Sequence, residues 1–370
     1  MEYDFNRISL SDIRDVHHGG PDVQELVRKG LSPGKLLDFS VSINPFPIPR
    51  PVRRAINKSR ISAYPDPRST GLTAAIAGHH KLSTDGIVPV NGLSQGIWLL
   101  SCLLNSPGRG ALIAGPCYGE YEKYSRVSGA NIIEVRSREE DNFRPDSERL
   151  CRIIREKGPA ITWICNPNNP TGVLLEREEL LEIGRVCGES RGYLIVDEAY
   201  INFTESRQQP LASAENIITL RSMTKDFSLP GLRLGYIISD KKISAPLRKL
   251  QPIWSINAAA QAAGTAALNK LPIYEKQWEN LRKAKADFIR ELEEFDLRIF
   301  PGKANFILLK HGRPSAEERG FIRDKLLDSG ILIRDCSSFG LPEYFRLGVS
   351  TPEKNRKIVK IFRRLGLWEK

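Results

Sequence analysis

The sequence lacks the features that would mark it for a membrane, for export or for a metal. None of its apolar runs approaches the ~20 consecutive residues that cross a bilayer, so no membrane partner is expected. The opening segment MEYDFNRISLSDIRDVHHGG is charged, has no apolar h-region and does not read as a secretory signal. The six cysteines (102, 117, 151, 165, 187 and 336) are scattered, without the CxxC spacing that zinc or dithiol chemistry would need. Reduced thiols in a cytoplasmic protein, with no metal, is the resulting expectation. There is no internal repeat and no low-complexity segment. Nucleic-acid recognition motifs are absent too. Lys and Arg outnumber Asp and Glu by 55 to 44, but the basic residues are spread along the chain, and runs such as Arg53-Arg54 and Arg363-Arg364 are short. The excess reads as a solvated surface, or as a field that draws in small anionic substrates, and no nucleic-acid partner is expected.

What is present is a long alternation. A chain of 370 residues suits two domains, or one large domain with a satellite. The runs Ile87–Val90, 111–114, 132–135, Ile161–Cys165, 193–196, 217–220 and Gly235–Ile238 read as buried strands, with helical patterns between several of them. Asp146-Ser147 can cap one such helix and Gly158 can end it. The alternation predicts an α/β fold with a mostly parallel sheet flanked by helices, whose ligands collect at the carboxyl ends of strands. After about Ala258 the pattern changes. A long helix near 281–295, strand-like segments at 304–309, 331–334 and 345–349, and a last helix near 353–364 predict a small α+β C-terminal domain. The division is 1–36 as an N-terminal arm packing with the small domain, 37–257 as the large domain and 258–370 as the small one.

Four loops follow predicted strands. Ser222-Met223-Thr224-Lys225 places an amine where it can form an imine with an aldehyde cofactor, provided burial keeps it partly unprotonated. Ser222 and Thr224 offer hydroxyls to a phosphate, and Arg233 could add a charge-assisted bond. Asp197 ends an apolar strand, where a carboxylate is costly unless partnered. The protonated ring nitrogen of pyridoxal 5'-phosphate would be such a partner, with Tyr200 hydrogen-bonding the cofactor's phenolic oxygen; a helix N-cap is the alternative reading of Asp197. Asn166-Pro167-Asn168-Asn169-Pro170-Thr171-Gly172 fixes a rigid loop in which Asn169 offers an amide. Asn91-Gly92-Leu93-Ser94-Gln95-Gly96 enters a helix with small residues whose backbone N–H groups can bind phosphate.

In order and context these loops resemble the fold-type I, or aspartate-aminotransferase, superfamily, and the likeness extends over nearly the whole chain. It implies a pyridoxal-phosphate enzyme of that fold, with Lys225 carrying the cofactor, Leu93 and Ser94 in its phosphate loop, and Tyr118 stacked on its ring. It also implies that Arg346 meets a substrate carboxylate and that Tyr64, in Tyr64-Pro65-Asp66-Pro67, reaches the cofactor phosphate of a neighbouring subunit in a homodimer. Leu93 and Gln95 depart from the small or acidic residues usual in that loop.

Within the superfamily, the YPDP segment resembles the histidinol-phosphate aminotransferase branch. His18-Gly19-Gly20, Leu37-Asp38-Phe39-Ser40, Ile43-Asn44-Pro45, Trp254-Ser255-Ile256-Asn257-Ala258, and Ile333-Arg334-Asp335-Cys336 before Phe339-Gly340-Leu341 are closer to its decarboxylating relatives, the threonine-phosphate decarboxylases of cobalamin biosynthesis. That resemblance implies a small phosphorylated amino acid as substrate, held by His18, Gly19, Asn44, Asn169, Arg334 and Arg346. Which arginine takes phosphate and which carboxylate stays open at this point. Transamination of histidinol phosphate is the alternative activity.

Overall fold

A computed structural model describes residues 13, 16, 18–105, 108–205, 210–211, 214, 216–311 and 316–370; residues 1–12 of the expected N-terminal arm lie outside the described residues. Strand β1 (Leu37–Asp38) comes first. It is followed by β2 (Ile87–Val90), β3 (Gly110–Gly115), β4 (Asn131–Arg136), β5 (Ile161–Cys165), β6 (Tyr193–Asp197), β7 (Ile217–Ser222) and β8 (Gly235–Ile238). The last five are β9 (Leu297–Phe300), β10 (Phe306–His311), β11 (Ile331–Leu332), β12 (Arg334–Asp335) and β13 (Tyr344–Gly348).

The central sheet has seven strands in the order β2-β8-β7-β6-β5-β3-β4. All neighbours are parallel except β8, which is antiparallel to both β2 and β7. Two antiparallel steps restore the direction, so β2, β7, β6, β5 and β3 all end at the same edge. The start of β8 lies there too, between Val90 and Ser222, which both face Gly235 in register. The loops singled out by sequence therefore meet at one edge. Gly235 is required in this place: a β-carbon would sit 2.7 Å from Leu93 Cδ2 and 3.0 Å from the Arg221 carbonyl oxygen.

Residues alternate between the two faces as strand pleating demands. Ile161, Trp163, Ile195, Ile218 and Leu220 join one apolar cluster with Ile97 and Leu100 of the helix Gly92–Leu104. Ile164, Leu194, Val196 and Ile217 join another, with Leu150 and Ile154 of Ser147–Lys157 and Leu180, Ile183 and Val186 of Arg177–Glu189. The expected cap is present, Asp146 accepting from Arg149 N at 2.9 Å, and Gly158 ends that helix in the left-handed region.

The second sheet is antiparallel, in the order β12-β13-β10-β9. Two details differ from the sequence expectation. The long helix spans Leu271–Leu292, because Pro272 fits the first turn, where its missing N–H is no loss. Tyr274 and Trp278 extend the buried stripe of Leu281, Ala284, Phe288 and Leu292. The segment expected as one strand at 331–334 breaks at Ile333 into β11, which pairs in parallel with β1, and β12, which pairs with β13. This break sets Arg334 directly opposite Arg346.

Candidate active site

The sheet edge opens into a cavity of about 400 Å³. It brings together Lys225, Asp197, Tyr200, Leu93, Ser94, Tyr118, Asn169, Ser222, Thr224, Arg233, His18, Gly19, Arg334 and Arg346. Two expected residues are not in its lining. Tyr64 is 79% exposed and stacks on Trp254, with ring centroids 4.2 Å apart. Asn44 is buried behind the lysine: its backbone N–H donates to the Lys225 carbonyl at 2.8 Å, and its Nδ2 donates to Asp226 O at 3.0 Å and Gln277 Oε1 at 2.8 Å. Both amide hydrogens are committed there, so none is left for a ligand.

At the inner end Asp197 is 4% exposed. Its Oδ1 accepts from Ala199 N at 3.0 Å and its Oδ2 from the Tyr121 hydroxyl at 2.7 Å. Burial pushes its carboxyl up to about 6, against the pull of those two donors and of Lys225. Burial, then Arg346 and Arg233, lowers the Lys225 amine to about 8, against the opposing pull of Asp197 and Glu120. Far more of this amine is therefore unprotonated near neutrality than of an exposed lysine, as a nucleophile requires. Tyr121 was not singled out in the sequence. It is held by stacking on Trp163, with centroids 5.0 Å apart, and its place three residues after Tyr118 was the available signal.

At the β2 end, Gly92 has φ +69° and a β-carbon there would lie 2.6 Å from Arg233 Nη2. The guanidinium therefore sits against the N-terminus of the helix Gly92–Leu104. Ser222 Oγ and Thr224 Oγ1 are 2.6 Å apart beside it. Hydroxyls, a guanidinium and helix N–H groups converge there as an anion cradle. Gln95, the departure noted in this loop, accepts from Asn91 N at 2.8 Å and donates to Ser255 Oγ at 3.2 Å; it braces the loop against the Trp254-Ser255 segment.

At the outer end Arg346 donates from Nη1 to Asn169 Oδ1 and from Nη2 to Ser40 O at 3.1 Å, while among the described residues its buried Nε has no hydrogen-bond partner. Arg334 donates to Ser338 Oγ at 2.7 Å and lies 5.2 Å from the Phe339 ring centroid. Burial first, then Arg346, lowers its pKa. His18 Nε2 is 3.4 Å from Glu120 Oε1, and burial lowers the imidazole pKa more than that carboxylate restores it. The His18-Gly19-Gly20 segment is fixed by contact. A β-carbon on Gly19 would meet Ser40 O at 2.3 Å, and Gly20 N donates to Ser40 Oγ at 2.7 Å. Ser40 is in turn held by Asp38 Oδ1, at 2.8 Å from its N and 2.6 Å from its Oγ. Lys123, Arg126 and Ser337 also line this mouth and were not anticipated, since only folding brings their helix and turn to it.

A mostly parallel sheet carrying a lysine, an acid and an anion cradle at one edge defines a fold-type I pyridoxal-phosphate enzyme, and the chain belongs to the aminotransferase class I and II family, which it matches over residues 34–362. It is 34% identical over 355 residues to the threonine-phosphate decarboxylase of Salmonella typhimurium, covering 94% of this chain and 95% of that one. The solved structure of histidinol-phosphate aminotransferase from Clostridium acetobutylicum is 31% identical, with a TM-score of 0.81, and covers 89% of this chain and 99% of that one. The Sinorhizobium meliloti histidinol-phosphate aminotransferase in complex with pyridoxal-5'-phosphate shares the fold at a TM-score of 0.82 and 20% identity, over 94% of this chain and 96% of that one.

The cofactor is pyridoxal 5'-phosphate, and the residues present fit it. The cradle at Gly92 and Arg233 leaves no space for a β-carbon and offers donors for a phosphate. Asp197 retains a buried carboxylate for the ring nitrogen, and Lys225 offers an amine in the same cavity. Among the described residues no helix is long and apolar enough to cross a membrane.

Proposed function

We propose that this chain decarboxylates L-threonine O-3-phosphate, giving (R)-1-amino-2-propanol phosphate and CO2 for cobalamin biosynthesis. The observation that carries the reading is the opposition of Arg334 and Arg346 across β12 and β13. Both guanidinium groups line the one cavity, so a substrate with two anionic groups would meet a cation at each end. The likeness to threonine-phosphate decarboxylase over nearly the whole chain supports the same reading.

Bound pyridoxal phosphate supplies an electron sink for the Cα bond that stands perpendicular to its ring. The protein selects that bond by fixing both ends of the substrate. Arg346, with Asn169, lies closest to Tyr200 and Lys225 and takes the carboxylate. Arg334, with Ser338 and His18 at the mouth, takes the phosphate. In this reading Asp197 faces the ring nitrogen, Tyr200 the phenolic oxygen and Tyr118 the ring, with Leu93, Ser94, Ser222, Thr224 and Arg233 around the cofactor phosphate. The Lys225 ammonium group would supply the proton that takes the place of CO2 on Cα.

The reading includes a homodimer in which Tyr64 completes the neighbour's phosphate site. The exposed apolar group of Ile61, Tyr64, Leu250, Ile253 and Trp254 supports it. It keeps the domain division at 257/258 with the arm on the small domain, supported by Leu26 packing against Leu327 and Leu332. Six free cysteines support a cytoplasmic setting.

The second reading, transamination of histidinol phosphate, is favoured by the 31% identity to the Clostridium enzyme and uses the same cofactor residues. Holoenzyme given threonine phosphate should release CO2 without 2-oxoglutarate. Glutamate formed from 2-oxoglutarate and histidinol phosphate, with no CO2 from threonine phosphate, favours the second reading instead.

A further inference from the structure

Beside the Asn166–Gly172 loop, and sharing no lining residue with the active-site cavity, lies a second cavity of about 120 Å³. It is bounded by Trp278, Arg282 and Lys285 of the long helix and by the 203–205 and 302–305 segments. Asn305 lines it and is 2% exposed, yet among the described residues neither its Nδ2 nor its Oδ1 has a hydrogen-bond partner. An unpaired buried amide costs roughly 1–3 kcal/mol, and native interiors rarely tolerate one without a ligand or water. Three cationic side chains surround it. Arg282 Nη1 donates to Thr204 O at 3.2 Å, and Lys285 Nζ donates to Gly302 O at 2.6 Å and Ala304 O at 2.7 Å. Among the described residues none of Arg282, Lys285 and Lys303 forms an ion pair within the chain; Glu205 is the one acid at the rim. Burial, and then Lys303, lowers the Lys285 amine to about 7, the condition of a lysine held without its counter-ion.

We propose that this cavity binds a small tetrahedral oxyanion, of the phosphate or sulfate class, through Arg282, Lys285, Lys303 and the Asn305 amide. The volume excludes anything as large as a nucleotide. The anion would restore the charge of Lys285 and fill the open valence of Asn305 Nδ2. The site adjoins the catalytic loop: Lys303 N donates to Gly172 O at 2.6 Å, and a β-carbon on Gly302 would meet Thr171 O at 2.9 Å. Occupancy would therefore stiffen the loop that carries Asn169, and the site is suited to sensing the phosphate level around the enzyme.

Inorganic sulfate, with inorganic phosphate in parallel, is titrated calorimetrically into the holoenzyme and into its Asn305→Leu and Lys303→Gln variants. Neither residue lines the active-site cavity. Loss of a charged-group hydrogen bond should weaken one class of binding roughly tenfold or more in Asn305→Leu. Lys303 is exposed, so Lys303→Gln keeps the test open should the buried variant misfold, and it should weaken the same class. Both variants binding sulfate with the wild-type stoichiometry and affinity would overturn the proposal, and would leave the reading of the active site untouched.

Discussion

Arg334 and Arg346 face each other across β12 and β13, two guanidinium groups on one side of a four-stranded sheet and on the wall of one cavity. This juxtaposition depends on the break at Ile333, which frees Arg334 from the strand that pairs with β1. In the proposed reading it would give the substrate two anion-binding ends.

The two arginines should therefore fail differently. Arg334→Gln removes a charge-assisted contact to phosphate, worth roughly 1.5–3 kcal/mol. It should raise KM for threonine phosphate about tenfold to a hundredfold and change turnover of unphosphorylated threonine little. Arg346→Gln should depress kcat/KM for both substrates. Steady-state kinetics on the pair of substrates checks this; equal losses in both variants contradict the assignment of ends.

Tyr121 donates to the buried Asp197 carboxylate at 2.7 Å and so favours its ionised form. Without that donor the carboxyl pKa rises. Tyr121→Phe should lower kcat near neutral pH by roughly tenfold and move the acid limb of the kcat profile to higher pH, with the loss largest below neutrality. An unshifted acid limb would separate Tyr121 from the function of Asp197.

Much of this architecture was legible before any coordinates. Strand spacing and the loops after Val90, Cys165, Val196 and Leu220 carry the large sheet and the inner part of the site, because local pattern and local chemistry coincide there. Asn44 was not legible. Its motif pointed to the substrate, yet its amide ties down the Lys225 turn from behind, a contact between residues far apart in sequence. Tyr121 escaped for the same reason: it is an ordinary polar residue on its own helix, and only the packing of that helix on the sheet gives it Asp197 as a partner.

Gly19 admits no side chain, since a β-carbon would lie 2.3 Å from Ser40 O. Gly19→Ala should displace the His18 segment at a cost of about 1–3 kcal/mol. It should raise KM for threonine phosphate roughly tenfold while the absorbance of the bound cofactor is preserved. Substrate kinetics beside an absorbance spectrum distinguishes this from general loss of structure.

Arg221 and Glu198 form a buried pair, Nε to Oε2 at 2.5 Å, behind the strand ends that present Asp197 and Ser222. Arg221→Met leaves the buried Glu198 carboxylate without its hydrogen-bonded guanidinium and should cost about 3–5 kcal/mol, much of it recovered by adding Glu198→Leu. Denaturant midpoints at one fixed cofactor concentration test both statements.

The central claim is that Lys225 is the lysine that holds the cofactor. Borohydride reduction of the holoenzyme followed by peptide mass mapping tests it most directly. The pyridoxyl mass should appear on the peptide containing Lys225 and be absent in Lys225→Ala, which should also lose turnover. The same mass on any other lysine, or continued turnover by the variant, would contradict the account.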